Sequence, residues 1–394
     1  MKTIYFDNNA TTRPAPEVIE AMMPFLTELW GNPSSMHVFG GGVRKHVEQA
    51  REQLAALIHA EPTEIVFTSC GTESDNTAIL GAGTAKDLKP NIINTRVEHP
   101  AVLGPCLELK DRGYNLIELN VDEVGQIDLA ELDEALRLGP AVVSVMWANN
   151  ETGTIFPIDE IARRVKAAGG IFHTDAVQAV GKLPIDVRKT PVDLLALSGH
   201  KLHAPKGIGA LYVRKGTRIK PFMLGGHQED SRRAGTENVP YIVGLGRAAE
   251  LARTTRSEEW ARVAALRDRL ETGLLERCPD SSVNGDCAHR LPNTLNISFE
   301  YIEGEAILYS LSDLGIAASS GSACSSGSLE PSHVLRAMGV PFTRVHGSIR
   351  FSLSRYNTEE EVDYVIARMP AIVNRLREMS PFVPHAASTT GQMK

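Results

Sequence analysis

The sequence predicts an α/β protein in which helices flank a mostly parallel sheet, with a smaller α+β domain beside it. Short apolar segments such as 141–146 and 192–197 alternate with segments of helical spacing, which is typical of βαβ units. Polar side chains follow directly after these strands, at the edge where such sheets bind ligands. From about residue 257 the pattern changes to a long charged helix followed by strands, which indicates a second domain.

The first elements of the chain lead into this sheet. Residues 1–13 predict a short strand and a polar turn. Pro14 and Pro16 then open a helix that runs towards Trp30, because proline suits a first helical turn. Apolar residues at helical spacing predict another helix over 43–57. A strand at 64–68 then runs into the small-residue turn 69–76.

The turn at 69–76 joins a strand to a helix and is rich in Ser, Gly and Thr. Such a turn aims free backbone N–H groups and a hydroxyl at one point, which suits a phosphate. Its glycine spacing fits neither a P-loop nor a dinucleotide fingerprint. Small residues also occur in such turns for geometry and capping alone, so this segment by itself leaves both interpretations open.

The strands that follow each end in polar residues. Strands are predicted at 91–95, 141–146, 171–173, 192–197 and 207–213. Because ligands bind at the carboxyl ends of parallel strands, the residues just past those ends form a candidate site: Thr72, Glu98, His99, Asn149, Asn150, Glu151, Asp175, Gln178, Ser198, His200 and Lys201.

Lys201 is the central residue of that set. It follows the apolar strand 192–197, and a lysine at the end of a buried strand is partly desolvated. Desolvation disfavours the ammonium form and frees the amine to act as a nucleophile or base, which can hold an aldehyde cofactor covalently. For this segment alone, a surface lysine after a strand is the alternative.

The chain divides into a large domain over 14–256 and a small domain made of 1–13 and 257–380. The small domain contains a predicted strand at 294–299. Its last helix begins with a capping box at 358–361.

Two further segments contain few side chains that could anchor them in a core. Residues 317–332 predict a mobile loop that exposes Cys324, unlike a structural cysteine, which behaves as a small buried hydrophobe. This thiol is either a nucleophile carried on an arm or an incidental cysteine. Residues 381–394 predict a disordered tail.

The composition narrows the function classes. The chain has 394 residues, too many for one ordinary core, and a net charge of −7, which gives no reason to expect nucleic acid or a membrane as a partner. No apolar run reaches membrane-spanning length. Five scattered cysteines argue against a disulfide framework and favour a reducing cytoplasm, and no Cys/His grouping has zinc-site spacing, so no metal is expected.

Taken together, several motifs resemble those of the cysteine desulfurases, enzymes that use pyridoxal 5′-phosphate (PLP) on the aspartate-aminotransferase fold (fold type I). The resemblance covers nearly the whole chain. It is strongest for the nitrogen-fixation type, whereas the tail after Pro381 does not match the His-ended tail of the housekeeping members. The motifs are residues 5–12, 70–76, 98–100, 147–150, 173–178, 198–201, 233–236, 320–324 and 329–333.

The resemblance implies roles for most of the candidate residues and for several others. Lys201 would hold PLP as a Schiff base, and Asp175 would keep the pyridine nitrogen protonated. Gln178 would hydrogen-bond the ring hydroxyl, with Asn150 nearby, and His99 would stack on the ring and transfer protons. The other implied sites are the phosphate site, with Gly71, Thr72, Ser198, His200 and, from a neighbouring subunit, Thr236, and the substrate carboxylate site, with Asn32, Asn150 and Arg350.

The implied reaction converts L-cysteine to L-alanine and leaves the sulfur as a persulfide on Cys324. The implied partners are a second copy of the chain and an iron–sulfur scaffold protein that accepts the sulfur. The likeness to the nitrogen-fixation type implies that this sulfur serves nitrogenase maturation. A selenocysteine lyase or another PLP enzyme of this fold is an alternative, as is a catalytically silent scaffold-binding protein.

Overall fold

The computed structural model describes residues 3–85, 90–320 and 331–382. Twelve strands are present in this part of the chain: β1 (Ile4–Tyr5), β2 (Ile65–Thr68), β3 (Asn91–Thr95), β4 (Leu116–Leu119), β5 (Ala141–Ser144), β6 (Ile171–Asp175), β7 (Leu194–Ser198), β8 (Gly209–Val213), β9 (Ser281–Val283), β10 (Thr294–Phe299), β11 (Ile316–Ala317) and β12 (Ser348–Ser352).

Twelve α-helices accompany them in the same ranges: α1 (Pro16–Thr27), α2 (Val38–Gly41), α3 (Arg44–Ile58), α4 (Gly71–Gly83), α5 (Pro100–Asp111), α6 (Leu129–Leu136), α7 (Ile158–Ala167), α8 (Val239–Arg277), α9 (Gly304–Asp313), α10 (His333–Ala337), α11 (Phe342–Val345) and α12 (Glu359–Met379). Among the described residues, none of these helices has both the length and the apolar character that a membrane span requires.

Seven strands form one large sheet in the order β2-β8-β7-β6-β5-β3-β4. All neighbours from β7 to β4 pair in parallel, and only β8 is antiparallel to both of its neighbours. Successive residues of β2 belong to different apolar clusters: Ile65 and Phe67 to one and Val66 to another. The sheet is therefore covered on both faces, and the α/β prediction is confirmed.

A second apolar core lies around the three-stranded antiparallel sheet β12-β10-β9. It includes Phe6 from the first segment of the chain, Ile297 from β10 and Val365 from α12. The predicted capping box is confirmed, because the Thr358 hydroxyl accepts from the Glu361 N–H and the Glu361 carboxylate accepts from the Thr358 N–H. The domain boundaries remain a prediction.

The helix that we expected to begin near residue 257 begins at Val239 instead. Gly244 and Gly246 obscured it, because glycine is a poor helix former. Both glycines serve packing: a Cβ atom on Gly246 would lie 2.6 Å from Ala50 Cα in α3. The first part of α8 therefore packs in the apolar core that covers the large sheet, while its second part belongs to the core around the sheet β12-β10-β9.

Candidate active site

A cavity of about 280 Å³ lies where the parallel strands end. Asp175 is the last residue of β6, Ser198 is the last residue of β7, and both line it. The structure brings ten of the predicted site residues together around this cavity: Gly71, Thr72, His99, Asn150, Asp175, Gln178, Ser198, His200, Lys201 and Arg350.

Lys201 lies in the short 3₁₀ turn Gly199–Lys201 that directly follows β7. Its side chain is partly buried, and Nζ donates hydrogen bonds to the carbonyl oxygen of Asn9 and, at 2.7 Å, to that of Ala10. The residues that receive the amine therefore come from the first polar turn of the chain, almost 200 positions away. A primary amine at the wall of a cavity is positioned to bind a carbonyl compound covalently.

Asp175 and His99 form the polar centre of the cavity. The Asp175 carboxylate accepts from the Val177 N–H at 2.9 Å, and burial raises its pKa against the opposing effects of His99 and Lys201. His99 is the N-cap of α5, where its Nδ1 accepts from the Ala101 N–H at 3.1 Å. Burial lowers the pKa of His99. Because Nδ1 accepts a hydrogen bond, the neutral ring carries its hydrogen on Nε2.

One corner of the cavity has the features of an anion site. The thirteen-residue helix α4 begins at Gly71, and its N-cap residue Cys70 provides no side-chain cap. Ser198 Oγ is buried and has no hydrogen-bond partner among the described residues. A Cβ atom on Gly71 would lie 2.8 Å from Val177 Cγ2, so only glycine leaves this space open. Free helix N–H groups beside an unpartnered hydroxyl suit a phosphate.

His200 completes that corner without adding positive charge. Its Nδ1 lies 3.2 Å from Thr11 Oγ1. Burial, together with the nearby Lys201 and Lys206, lowers the pKa of His200 to about 4. A neutral imidazole can still donate one hydrogen bond to an anion.

Among the described residues, the cavity wall contains one buried guanidinium. Arg350, in β12, donates through Nη2 to Asp7 at 2.8 Å and through Nη1 to the Asn150 carbonyl oxygen at 3.1 Å. Its Nε is buried and has no partner among the described residues. The guanidinium therefore retains an unused donor, and arginine is well suited to bind a carboxylate.

Sequence reasoning missed residues that complete the cavity. Asn9 and Asp75 both line it. Asp75 is fully buried, and burial raises the pKa of its carboxyl well above its ordinary value, with Asp175 adding to the effect. Both residues lie inside motifs that the sequence analysis singled out, so their motif membership was the available signal.

Six of the predicted residues are not among those that line the cavity. Glu98, Asn149 and Glu151, from the set that follows the strand ends, are buried but do not line it. The other three had roles implied by the resemblance. Asn32 is exposed, and its side chain accepts from the Ser34 N–H at 2.9 Å. Thr236 is also exposed, and its predicted role concerns a neighbouring subunit. Cys324 lies outside the described residues.

The comparisons with known proteins agree with each other. The family model for class-V aminotransferases matches residues 4–365. A relative named cysteine desulfurase from Trichormus azollae is 62% identical over 97% of this chain and 96% of its own length, and one named cysteine desulfurase NifS from Azotobacter vinelandii is 58% identical over 97% and 95%. A solved structure titled NifS-like protein has a TM-score of 0.88 at 40% identity and covers 95% of this chain and 100% of its own.

Proposed function

Because the chain belongs to the class-V aminotransferase family, we propose that it acts as its named relatives do. It is a cysteine desulfurase, a PLP-dependent enzyme that converts L-cysteine to L-alanine and supplies the sulfur for iron–sulfur clusters. The observation that carries the proposal is the cavity itself, where the amine of Lys201, the buried carboxylate of Asp175 and the anion corner of Gly71 and Ser198 line one space.

The cavity residues fit PLP group by group. Lys201 would hold its aldehyde carbon, Asp175 would face its pyridine nitrogen, and the phosphate would be bound by Gly71 and Ser198 with Thr72 and His200 beside them. When bound, PLP supplies an electron sink that makes the substrate α-proton acidic and its C–S bond breakable. The unpartnered Ser198 hydroxyl supports the phosphate assignment, because a buried polar atom without a partner is costly.

Residues of the chain itself would bind the substrate, transfer its protons and accept its sulfur. Arg350, with Asn150 close by, would hold the carboxylate of L-cysteine. Lys201, once its amine is free, would take the α-proton, and His99 would assist proton transfer. The Cys324 thiolate would attack the substrate sulfur, so that the C–S bond breaks and its electron pair stays on carbon. The sulfur remains on Cys324 as a persulfide, and the reduced carbon skeleton takes up a proton and leaves as alanine.

Several parts of the proposal concern more than one chain or lie outside the cavity. We propose a homodimer, in which Thr236 reaches the phosphate site of the partner subunit, and a cytoplasmic enzyme. Asn32 is proposed to contact the substrate carboxylate. An iron–sulfur scaffold protein is the proposed sulfur acceptor. A role in nitrogenase maturation follows from the likeness to the relative named NifS.

The test is to incubate the PLP-loaded protein with L-cysteine and a thiol reductant and to measure alanine and sulfide. We expect the two products in equal amounts. Cys324→Ala should abolish both while the PLP absorbance stays, whereas the exposed Cys287→Ala should retain activity. Full activity of Cys324→Ala would instead indicate a selenocysteine-lyase type of reaction. A protein that binds no PLP would favour a catalytically silent scaffold-binding protein.

A further inference from the structure

A second lysine is buried behind the cavity wall. Lys182 is only 5% exposed, and its Nζ donates to Gln178 Oε1 at 2.7 Å. Nothing in the sequence singled it out, and it does not line the cavity. Burying an amine is costly, so its position calls for a physical reason.

The contacts of Gln178 supply that reason. The Gln178 side chain lines the cavity, and its amide nitrogen donates to the Asn9 carbonyl oxygen at 3.0 Å. A carbonyl oxygen can only accept, so the amide nitrogen must face Asn9 and the amide oxygen must face Lys182. The amide nitrogen carries a second N–H group, which is available to a ligand in the cavity.

We propose that Lys182 is a positioning residue that holds the Gln178 amide in this one orientation. Gln178 then offers an N–H donor to the oxygen of the PLP ring hydroxyl, called the ring oxygen below. The inference rests on the proposed function, since it concerns the bound cofactor. Without Lys182, the amide oxygen would be left buried without a donor. The Asn9 carbonyl would then be the one remaining contact named here that orients the amide, and any rotation would present the amide oxygen to the oxygen of the ring hydroxyl, an arrangement that repels rather than binds.

The charges around Lys182 do not disturb this arrangement. Burial, together with Lys201 and Arg350, lowers the pKa of Lys182 to about 7. Lys182 in turn contributes to lowering the pKa of His203, and the cavity itself contains Cys70, Asp75, His99, Asp175 and His200 beside Lys201 and Arg350. A neutral amine still has two N–H groups, so Lys182 donates to Gln178 Oε1 on both sides of its own titration.

The test is a pH titration of the visible absorbance of the PLP-loaded protein, which reports when the ring system of the lysine-bound cofactor gains a proton. A donor to the ring oxygen stabilises its deprotonated form. Lys182→Met should therefore raise the midpoint of the titration by about one pH unit. The matched control is Lys189→Met, which removes a lysine that is 83% exposed and should leave the midpoint unchanged.

A double variant separates the positioning of Gln178 from a general effect of losing a buried lysine. Gln178→Leu removes the donor itself, so adding Lys182→Met to that variant should move the midpoint no further. If Lys182→Met fails to fold, Lys182→Gln keeps a polar group in the same space. Because its amide can present either atom to Gln178, Lys182→Gln should raise the midpoint in the same direction by a smaller amount.

The outcomes are distinct. The inference is wrong if the midpoint in Lys182→Met is unchanged or lowered. It is also wrong if Lys182→Met shifts the midpoint as much in Gln178→Leu as in the wild type. In both cases a wild-type protein with the PLP absorbance would still uphold the proposed function. An unchanged midpoint in Lys182→Gln overturns the inference in the same way. A wild-type protein that develops no PLP absorbance overturns the proposed function and this inference with it.

Discussion

Replacing Arg350 with methionine should weaken the use of L-cysteine while leaving PLP bound. The Arg350 side chain is 3% exposed, and two of its nitrogens already donate to Asp7 and to the Asn150 carbonyl oxygen, whereas Nε has no partner among the described residues. A substrate carboxylate would therefore gain one new charge-assisted hydrogen bond at Nε and share another with Asp7. Since such bonds contribute about 1.5–3 kcal/mol each, we take about 3 kcal/mol as the loss.

A loss of about 3 kcal/mol corresponds to a roughly 100-fold rise in KM for L-cysteine, because each 1.4 kcal/mol is a factor of ten. The assay is steady-state alanine formation, with cysteamine as the comparison substrate for C–S cleavage and sulfide release. Cysteamine lacks the carboxylate, so Arg350→Met should leave its KM nearly unchanged and remove the preference of the wild type for cysteine. The PLP absorbance should stay as in the wild type.

Arg290→Met is the matched control for the cost of losing a buried arginine. The Arg290 side chain is 6% exposed and pairs with Glu271 at 2.6 Å, and it is not among the residues that line the cavity. We expect both variants to melt below the wild type, but only Arg350→Met to lose the preference for cysteine. The reasoning is wrong if KM rises equally for cysteine and cysteamine, or if Arg290→Met changes the preference as much.

Two further predictions concern the anion corner and the buried acids. Gly71→Ala places a Cβ atom 2.8 Å from Val177 Cγ2 and should weaken PLP binding about tenfold in an absorbance titration. Gly104→Ala is the control, because its Cβ atom would meet no described residue within 4 Å, and equal affinities of the two variants would contradict the prediction. Burial raises the pKa of Glu98 from 4.5 to about 8, so the folded protein keeps a proton that the unfolded chain loses, and stability falls as the pH rises through this window. Glu98→Gln should remove that dependence, so that its free energy of unfolding in urea rises relative to the wild type by up to about 1.4 kcal/mol per pH unit. Glu118 is exposed, and Glu118→Gln should therefore retain the wild-type slope.

The sequence predicted best those parts of the site that depend on strand direction. Parallel strands end at the same edge of a sheet, so polar residues after several strands must meet there. Asp175, Ser198 and His99 were predicted on that basis, and the structure places all three at one cavity. Lys182 could not be found in this way, because only the fold determines that its amine is buried against Gln178.

The long helix α8 was misjudged for a related reason. Its two glycines at 244 and 246 weaken the helical pattern, and their purpose depends on what packs against them. A Cβ atom on Gly244 would lie 2.7 Å from Met22 Sδ in α1, a contact that local sequence does not encode. Local propensity was therefore overridden by the close approach of distant helices.

The hydrogen-bond acceptors of the Lys201 amine lie in the motif 5–12, and the sequence could not predict that role for the motif. They are backbone carbonyls of Asn9 and Ala10, and because every residue carries a carbonyl, no side-chain pattern can mark them. The sequence does encode the side chain that fixes this backbone. The Asn9 amide donates to Thr294 Oγ1 at 2.9 Å and accepts from Asn293 at 2.9 Å, at the start of β10. Asn9 thus serves the cavity through its main chain, and its side chain is needed because it holds that main chain in place.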